Sequence, residues 1–299
     1  MYKNGLFEMM SMKNVIIIFT LLLCNISFND WAKPIKMSPT INDHGQSYHG
    51  RISPDGKTFY FTVTDPITDD DIWVARRQGN TWTNVQKLTT IINSPKRDLS
   101  PSITADENKL YFISYNRDNY SGYQIWCSTW INNCWSEPSN CGSNVNTGSE
   151  FTSCIASDGK ELYFSSSREG GYGDFDIYVS KWDETSQQWG KPKNLGPKIN
   201  SGYREYSPWI SANNKTLMWA SWNSGTRGPA IFSATWNGVE WDSIEKLPAP
   251  VNRGSRHWTD SPSLSPDGGT LYFVTDWPDS NKQYQFLWHA NNKFNKRKR

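Results

Sequence analysis

Short stretches of the chain alternate apolar and polar residues with a period of two, and these stretches return on a beat of about fifty residues. "KTFYFTV" (57–63) and "KELYFSS" (160–166) alternate around a Tyr-Phe pair, and the same landmark stands at Tyr60-Phe61, Tyr111-Phe112, Tyr163-Phe164, Met218-Trp219 and Tyr272-Phe273. A second apolar element follows each: "DIWVA" (71–75), "QIWCS" (124–128), "DIYVS" (176–180), "AIFSA" (230–234) and a degraded "QFLWH" (285–289). Period-two alternation of this length predicts half-buried β-strands. No stretch of ten residues carries a helical period.

A third landmark keeps the same beat. Trp31, Trp82, Trp135, Trp189 and Trp241 are separated by 51 to 54 residues, and an Asn preceded by Ile or Val follows each: Asn42, Asn93, Asn146, Asn200 and Asn252. Repeats of this length built of several short strands predict propeller blades. Each unit reads as four strands, a to d from the axis outward. Strand a is short, as in "PSITA" (101–105) or "PSLSP" (262–266). A tight turn follows at Asp55-Gly56, Asp158-Gly159 and Asp267-Gly268, read as a two-residue hairpin, with Asn108 and Asn213-Asn214 where the Gly is missing. Strand d runs from the Trp towards the Ile/Val-Asn.

Counting strands predicts how the ring closes. Five copies of a–b–c begin near residues 50, 101, 153, 208 and 262, but the last runs into "NNKFNKRKR" without a strand d. The spare strand d is "DWAKPIKMSPTIN" at 30–42. Unpaired strand edges are costly, so the N-terminal strand is expected to complete the last blade. The expected fold is all-β: a five-bladed β-propeller with four antiparallel strands per blade. It forms one domain over 29–292, with closing strand 30–42 and blades from about 49, 100, 152, 207 and 261.

The repeat explains most of an unusual composition. Aromatic residues make up 14% of the 299 positions, with 16 Trp, and most Trp fall at repeat-equivalent positions. The net charge of +2 gives no strong field for nucleic acid. Residues 1–28 read as a signal peptide, with Lys13 ahead of the apolar run Val15–Cys24, too short to span a bilayer. The expectation is an exported protein, periplasmic or extracellular, with no transmembrane span in the mature chain; lipidation at Cys24 is the weaker alternative. The tail 293–299 is basic. Cys127, Cys134, Cys141 and Cys154 permit two local disulfides; a zinc site is disfavoured by six-residue gaps without an adjacent His. No motif calls for a metal or cofactor, and the chain is expected to be a monomer.

"SPDGKTFYFT" (53–62), "SDGKELYFSSSREGGYGDFDIYVSKWD" (157–183) and "SPDGGTLYFVTDW" (265–277) resemble the PD40, or WD40-like, β-propeller repeat. That repeat occurs in TolB-like and OmpA-associated periplasmic propellers, and the resemblance covers about 30–290. It implies an envelope protein that binds partners through its loops.

In a propeller the d-to-a and b-to-c connections share one face, around the channel mouth, and rigid sheets hold variable loops there. Asp98, Glu150 and Glu205 are equivalent on the d-to-a loops, and Asp260 lies one position off. They read either as acids able to do general acid/base work or as ties to neighbouring backbone. His44, His49, Arg97, Arg204, Arg253, Arg256, His257 and Trp258 share these loops and complete the expected binding face. No metal motif emerges from the three His. Asp69-Asp70-Asp71 invites a calcium reading, countered by the match of Asp71 to Asp176 before strand c. Two functions follow. One is a non-enzymatic propeller binding an envelope protein or glycan. The other is a glycan-cleaving enzyme, a glycosidase or lyase, which needs two carboxylates across the channel.

Overall fold

The computed structural model describes residues 30–66, 69–223, 225, 227–253, 257–276 and 286–293. The expected signal peptide, most of the basic tail and Arg256 lie outside them. The described chain forms five small antiparallel sheets arranged as blades around an axis. Blade 1 runs a to d through Gln46–Ile52, Thr58–Asp65, Asp69–Gln78 and Thr81–Lys87. Blade 2 comprises Asp98–Ile103, Lys109–Tyr115 and Tyr123–Ile131, with strand d split into Cys134–Trp135 and Ser139–Asn140. Blade 3 repeats this with Glu150–Ile155, Glu161–Ser166, Asp176–Asp183, Gln188–Trp189 and Lys193–Asn194. Blade 4 has Glu205–Ile210, Thr216–Ser221, Ala230–Trp236 and Trp241–Lys246.

Blade 5 takes Thr259–Leu264, Thr270–Thr275 and Phe286–Asn291 from the end of the chain and Ile35–Lys36 from its beginning. Ile35 pairs with His289 and Lys36 with Trp288, and Trp31 bridges to Asn292. The ring is therefore closed by the N-terminal strand. Trp31 is almost wholly buried, in one cluster with Met218, Trp219 and Trp288.

The repeated Asn is a pin. In all five blades its side-chain oxygen accepts an N–H from strand c and its amide donates to the carbonyl of that same residue. The partners are Leu287 for Asn42, Ile72 for Asn93, Ile125 for Asn146, Ile177 for Asn200 and Ile231 for Asn252, at 2.7–3.1 Å. The amide mimics one more rung of the ladder. It can do so because strand d stops before the Asn, earlier than its sequence predicts. A single helical turn follows, closed by bonds such as Asn93 N–H to Thr89 O and Asn200 N–H to Gly196 O, and in blade 5 it is the short helix Pro39–Asn42.

The a-to-b turns are also longer than two residues. In blade 1 Gly56 N–H bonds Ser53 O, and Gly56 has φ +76°: a turn closed by one left-handed residue. In blade 2 that left-handed residue is Glu107 (φ +54°), not Asn108, while Asn214 (φ +55°) fills the slot in blade 4. Asp55, Asp106 and Asp267 each accept the hydroxyl two residues earlier and the N–H two residues later, so the turn is fixed by the carboxylate even without Gly.

Inner strands of adjacent blades are stitched by hydroxyls: Ser263 to Ile52 N–H, Ser102 to Ile155 N–H and Thr152 to Ser207 N–H, at 2.8–3.1 Å. Cys127, Cys134, Cys141 and Cys154 stand as free thiols in this structure. Cys134 is exposed on the outer hairpin and Cys154 is buried in the innermost strand, at opposite margins of their blades.

Candidate functional site: the channel mouth

Strand a positions the site. Its opening slot, the first residue in blades 2 to 5 and the second in blade 1, holds Ser47, Asp98, Glu150, Glu205 or Thr259, and all five side chains are buried. Asp98 accepts Ser94 N–H (2.6 Å) and Ser94 Oγ–H (2.8 Å) and pairs with Arg117 at 3.3 Å. Glu150 accepts Gly148 N–H (3.1 Å) and Ser166 Oγ–H (3.0 Å) and pairs with Arg168 at 3.2 Å. Glu205 accepts Ser201 N–H (2.8 Å) and the hydroxyls of Ser201 and Ser221. Burial pushes all three carboxyls up from their ordinary range, against the hydrogen bonds that hold their charged forms.

Arg117 and Arg168 come from the b-to-c loops. Each also donates to the carbonyl before the pinning Asn, Ile92 O and Val145 O, and lies over rings of its own blade, Trp126 and Tyr178. In blades 1 and 5 the matching carbonyls, Ile41 O and Val251 O, are met directly by Ser47 and Thr259 hydroxyls. The first slot of strand a thus closes the loop that precedes it. Its Arg partners carry no signal in one blade, but Arg117 and Arg168 follow Ser114 and Ser166 at the end of strand b, a coincidence that aligned repeats expose.

The next position along strand a is Tyr48, Leu99, Phe151, Tyr206 or Asp260. Register places Asp260 opposite Val274, where Leu99 opposes Ile113. An acid therefore stands where the other blades put an aromatic or apolar residue. Asp260 is half-buried. Its carboxylate accepts Tyr206 Oη–H at 3.2 Å and Ser261 Oγ–H at 2.8 Å. Burial pushes it up to about 6, while the two hydroxyls and the charge of Arg51 pull the other way.

Behind this rim blade 1 departs again. His49, Gly50 and Arg51 replace the Ser-Pro-Ser of blade 2 at 100–102. Arg51 is buried, with its guanidinium donating to Pro208 O (2.8 Å) and Pro262 O, the inner strands of blades 4 and 5; its Nε has no partner. His49 is buried edge-on to Phe151, its Nδ1 also without a partner; burial and the neighbouring Arg51 charge drop it to about 3, so it is neutral. Phe151 in turn meets Tyr123, Phe175 and Tyr206. Arg51, Tyr48, Phe151 and Tyr206 were not in the sequence-derived set. The signal for Arg51 is the broken symmetry of strand a.

The remaining sequence-derived residues sit outside this cluster. Arg97 bonds Asp69 (2.9 Å) and Tyr123, and Arg204 bonds Asp174 (2.9 Å): the same blade-to-blade tie twice, on exposed loops. His257 and the Trp258 N–H both engage Asp276. Arg253 bonds Pro250 O. His44 stacks on Trp73 at the outer side of blade 1. Asp69 and Asp70 both pair with Arg97 (2.9 and 3.8 Å), Asp70 also accepts the Thr64 hydroxyl, Asp71 pairs with Lys87, and among the described residues no group of three or more metal-ligating side chains comes together.

No family model and no curated protein matches the chain. Solved structures do. A putative TolB from Agrobacterium tumefaciens is similar over 80% of this chain and 72% of its own, at 16% identity and TM-score 0.52. An alpha-L-arabinofuranosidase from Lactobacillus brevis is similar over 84% and 92%, at 15% identity and TM-score 0.54. TolB from Acinetobacter baumannii is similar at 18% identity and TM-score 0.47 over 77% of this chain, which spans about half (47%) of that protein. At these identities the likeness is one of fold, and the fold is the five-bladed β-propeller.

Proposed function

We infer that this is an exported, non-enzymatic propeller of the TolB-like kind that binds a protein or glycan of the cell envelope at the channel mouth. One observation carries the reading. Of the four rim acids, three are buried and engaged in closing their own loops, Glu150 through Oε1 alone with Oε2 unpartnered, which leaves Asp260 as the accessible carboxylate among them. An acid that accepts the Tyr206 hydroxyl, with the Tyr206 ring meeting Phe151, suits recognition: flat rings supply contact area at low entropy cost and the acid fixes one donor of the partner. The PD40 resemblance and the single-domain extent of 29–292 belong to the same reading.

The test is a glycan array and a pull-down from envelope extract, comparing the wild type with Asp260→Asn and Phe151→Ala. Binding that is lost in both variants, with no cleavage of any bound glycan, supports the reading. Binding indifferent to both overturns it.

A glycan-cleaving enzyme is the second reading, favoured by the elevated Asp260 carboxyl, which would hold a proton at mildly acidic pH as a general acid must. It requires a second carboxylate about 5 to 9.5 Å away. New reducing ends released from a polysaccharide by the wild type, and not by Asp260→Asn, would establish it.

A further inference from the structure

A cavity of about 690 Å³ opens between blades 5 and 1, on the side of the a-to-b and c-to-d turns, opposite the channel mouth. Its walls include Arg77 and Trp82 from the outer hairpin of blade 1 and Tyr272, His289 and Asn291 from blade 5. The repeat shows what is unusual here. Arg77 pairs across strands with Trp82, where blades 2, 3 and 4 pair Trp130 with Trp135, Trp182 with Trp189 and Trp236 with Trp241. Those indoles meet edge to face at 5.0–5.3 Å. His289 pairs with Tyr272, where the other blades place Val74, Cys127, Val179 and Ser233.

In two other wedges these positions pack together. Tyr111, Cys127, Trp182 and Trp189 pack in one apolar cluster, and Tyr163, Val179, Trp236 and Trp241 in another. Between blades 4 and 5 the small Ser233 and Asn292 take two of the four positions, beside Met218 and Trp31; at the seam between blades 5 and 1 a guanidinium and an imidazole take them, and the wedge stands open. Packing does not call for this, since an unfilled wall forfeits its dispersion contacts. The volume lies in the range of small-ligand sites.

The groups that remain define a chemistry. The half-buried Trp82, backed by the buried Tyr272 at 6.3 Å and 69°, offers an aromatic wall suited to the apolar face of a sugar ring. Arg77 holds its Nε on Gly79 O (3.1 Å) with the guanidinium beside the Trp82 ring, so its terminal N–H groups suit a carboxylate fork. Asn291, Thr270 and His289 offer hydroxyl partners. Asp267, the nearby acid, accepts Ser265 Oγ–H (2.6 Å) and Gly269 N–H (2.9 Å) within its own turn. We propose that the seam cavity binds an acidic saccharide, its ring against Trp82 and its carboxylate on Arg77.

Calorimetric titration of the full chain with hexuronate di- to tetrasaccharides, against their neutral counterparts, tests this. Saturable uronate binding at least about tenfold tighter than the neutral sugar is expected. Arg77→Gln should remove that preference. The double variant Arg77→Trp/His289→Val, which rebuilds the wedge between blades 3 and 4, should abolish binding and raise Tm. Asp260→Asn should leave uronate binding unchanged, which separates this site from the channel mouth. Absence of saturable binding, equal affinity for the neutral sugar, or wild-type binding by Arg77→Gln would overturn the proposal; the last holds even if the double variant does not fold.

Discussion

Asn200 carries on one side chain what a longer strand d would have carried on its backbone. Its amide satisfies both polar groups of Ile177 and also reaches Asn194 Oδ1 at 2.8 Å, all at a buried site. Asn200→Ala leaves a buried N–H and C=O unmet, so urea unfolding should show a loss of about 2–3 kcal/mol. The five Asn were legible in the sequence as a beat, but their role was not, because the partner lies in strand c and, for Asn42, 245 positions away. Asp260 makes a second residue-scale prediction. Its carboxyl, followed by NMR of labelled aspartate, should titrate near pH 6, and Arg51→Met should raise that midpoint by removing a nearby cation. Since its folded value lies above the ordinary one, protonated Asp260 favours the fold fully below about pH 3.8, and that contribution is lost as pH rises through about 6. A midpoint near 4 would place the side chain in open solvent. The sequence marked Asp260 as out of register, and that irregularity separates it from the three buried acids.

At the scale of elements the loop-closing module of blades 2 and 3 behaves as a unit: an acid opening strand a, a Ser ending strand b and an Arg from the next loop. Arg168→Met strands Glu150 in a buried site, and breaking such a pair costs about 3–5 kcal/mol. The loss should be smaller in Glu150→Gln/Arg168→Met than the two single losses together, as thermal melts of the four proteins would show. It should also shrink as pH falls, because the raised Glu150 carboxyl takes up its proton in the folded state and then needs no cation. A packing constraint acts between loops as well. A Cβ on Gly173 would lie 1.9 Å from Tyr203 O, so Gly173→Ala should displace the loop entering blade 4 and loosen the Asp174–Arg204 tie. Strand count and blade order were readable from periodicity. Strand ends and turn geometry were not, because side-chain bonds from Asn and Asp, invisible to a hydrophobic pattern, decide where the ladder stops.

On the scale of the whole molecule the ring has one joint unlike the others. Four blades are continuous in the chain, whereas blade 5 joins its two ends through Trp31, Ile35–Lys36 and the Asn42 pin. The same joint borders the cavity between blades 5 and 1, where Arg77 and His289 depart from the repeat. Among the described residues no helix is long and apolar enough to cross a membrane. The sequence predicted the clasp because complementarity of missing and spare strands is a matter of counting. It could not predict the cavity, which depends on which residues face one another across a seam.

Hydrogen–deuterium exchange of the closing segment tests the closed ring most directly. Met37 N–H donates to Leu287 O at 3.0 Å and Ala32 N–H to Asn291 O at 2.8 Å. If the N-terminal strand is an integral part of blade 5, these amides should exchange only with global unfolding, as slowly as Ile177 in the interior of blade 3. Exchange faster by several orders of magnitude, as for a frayed terminus, would contradict the closure on which the channel mouth and the seam both depend.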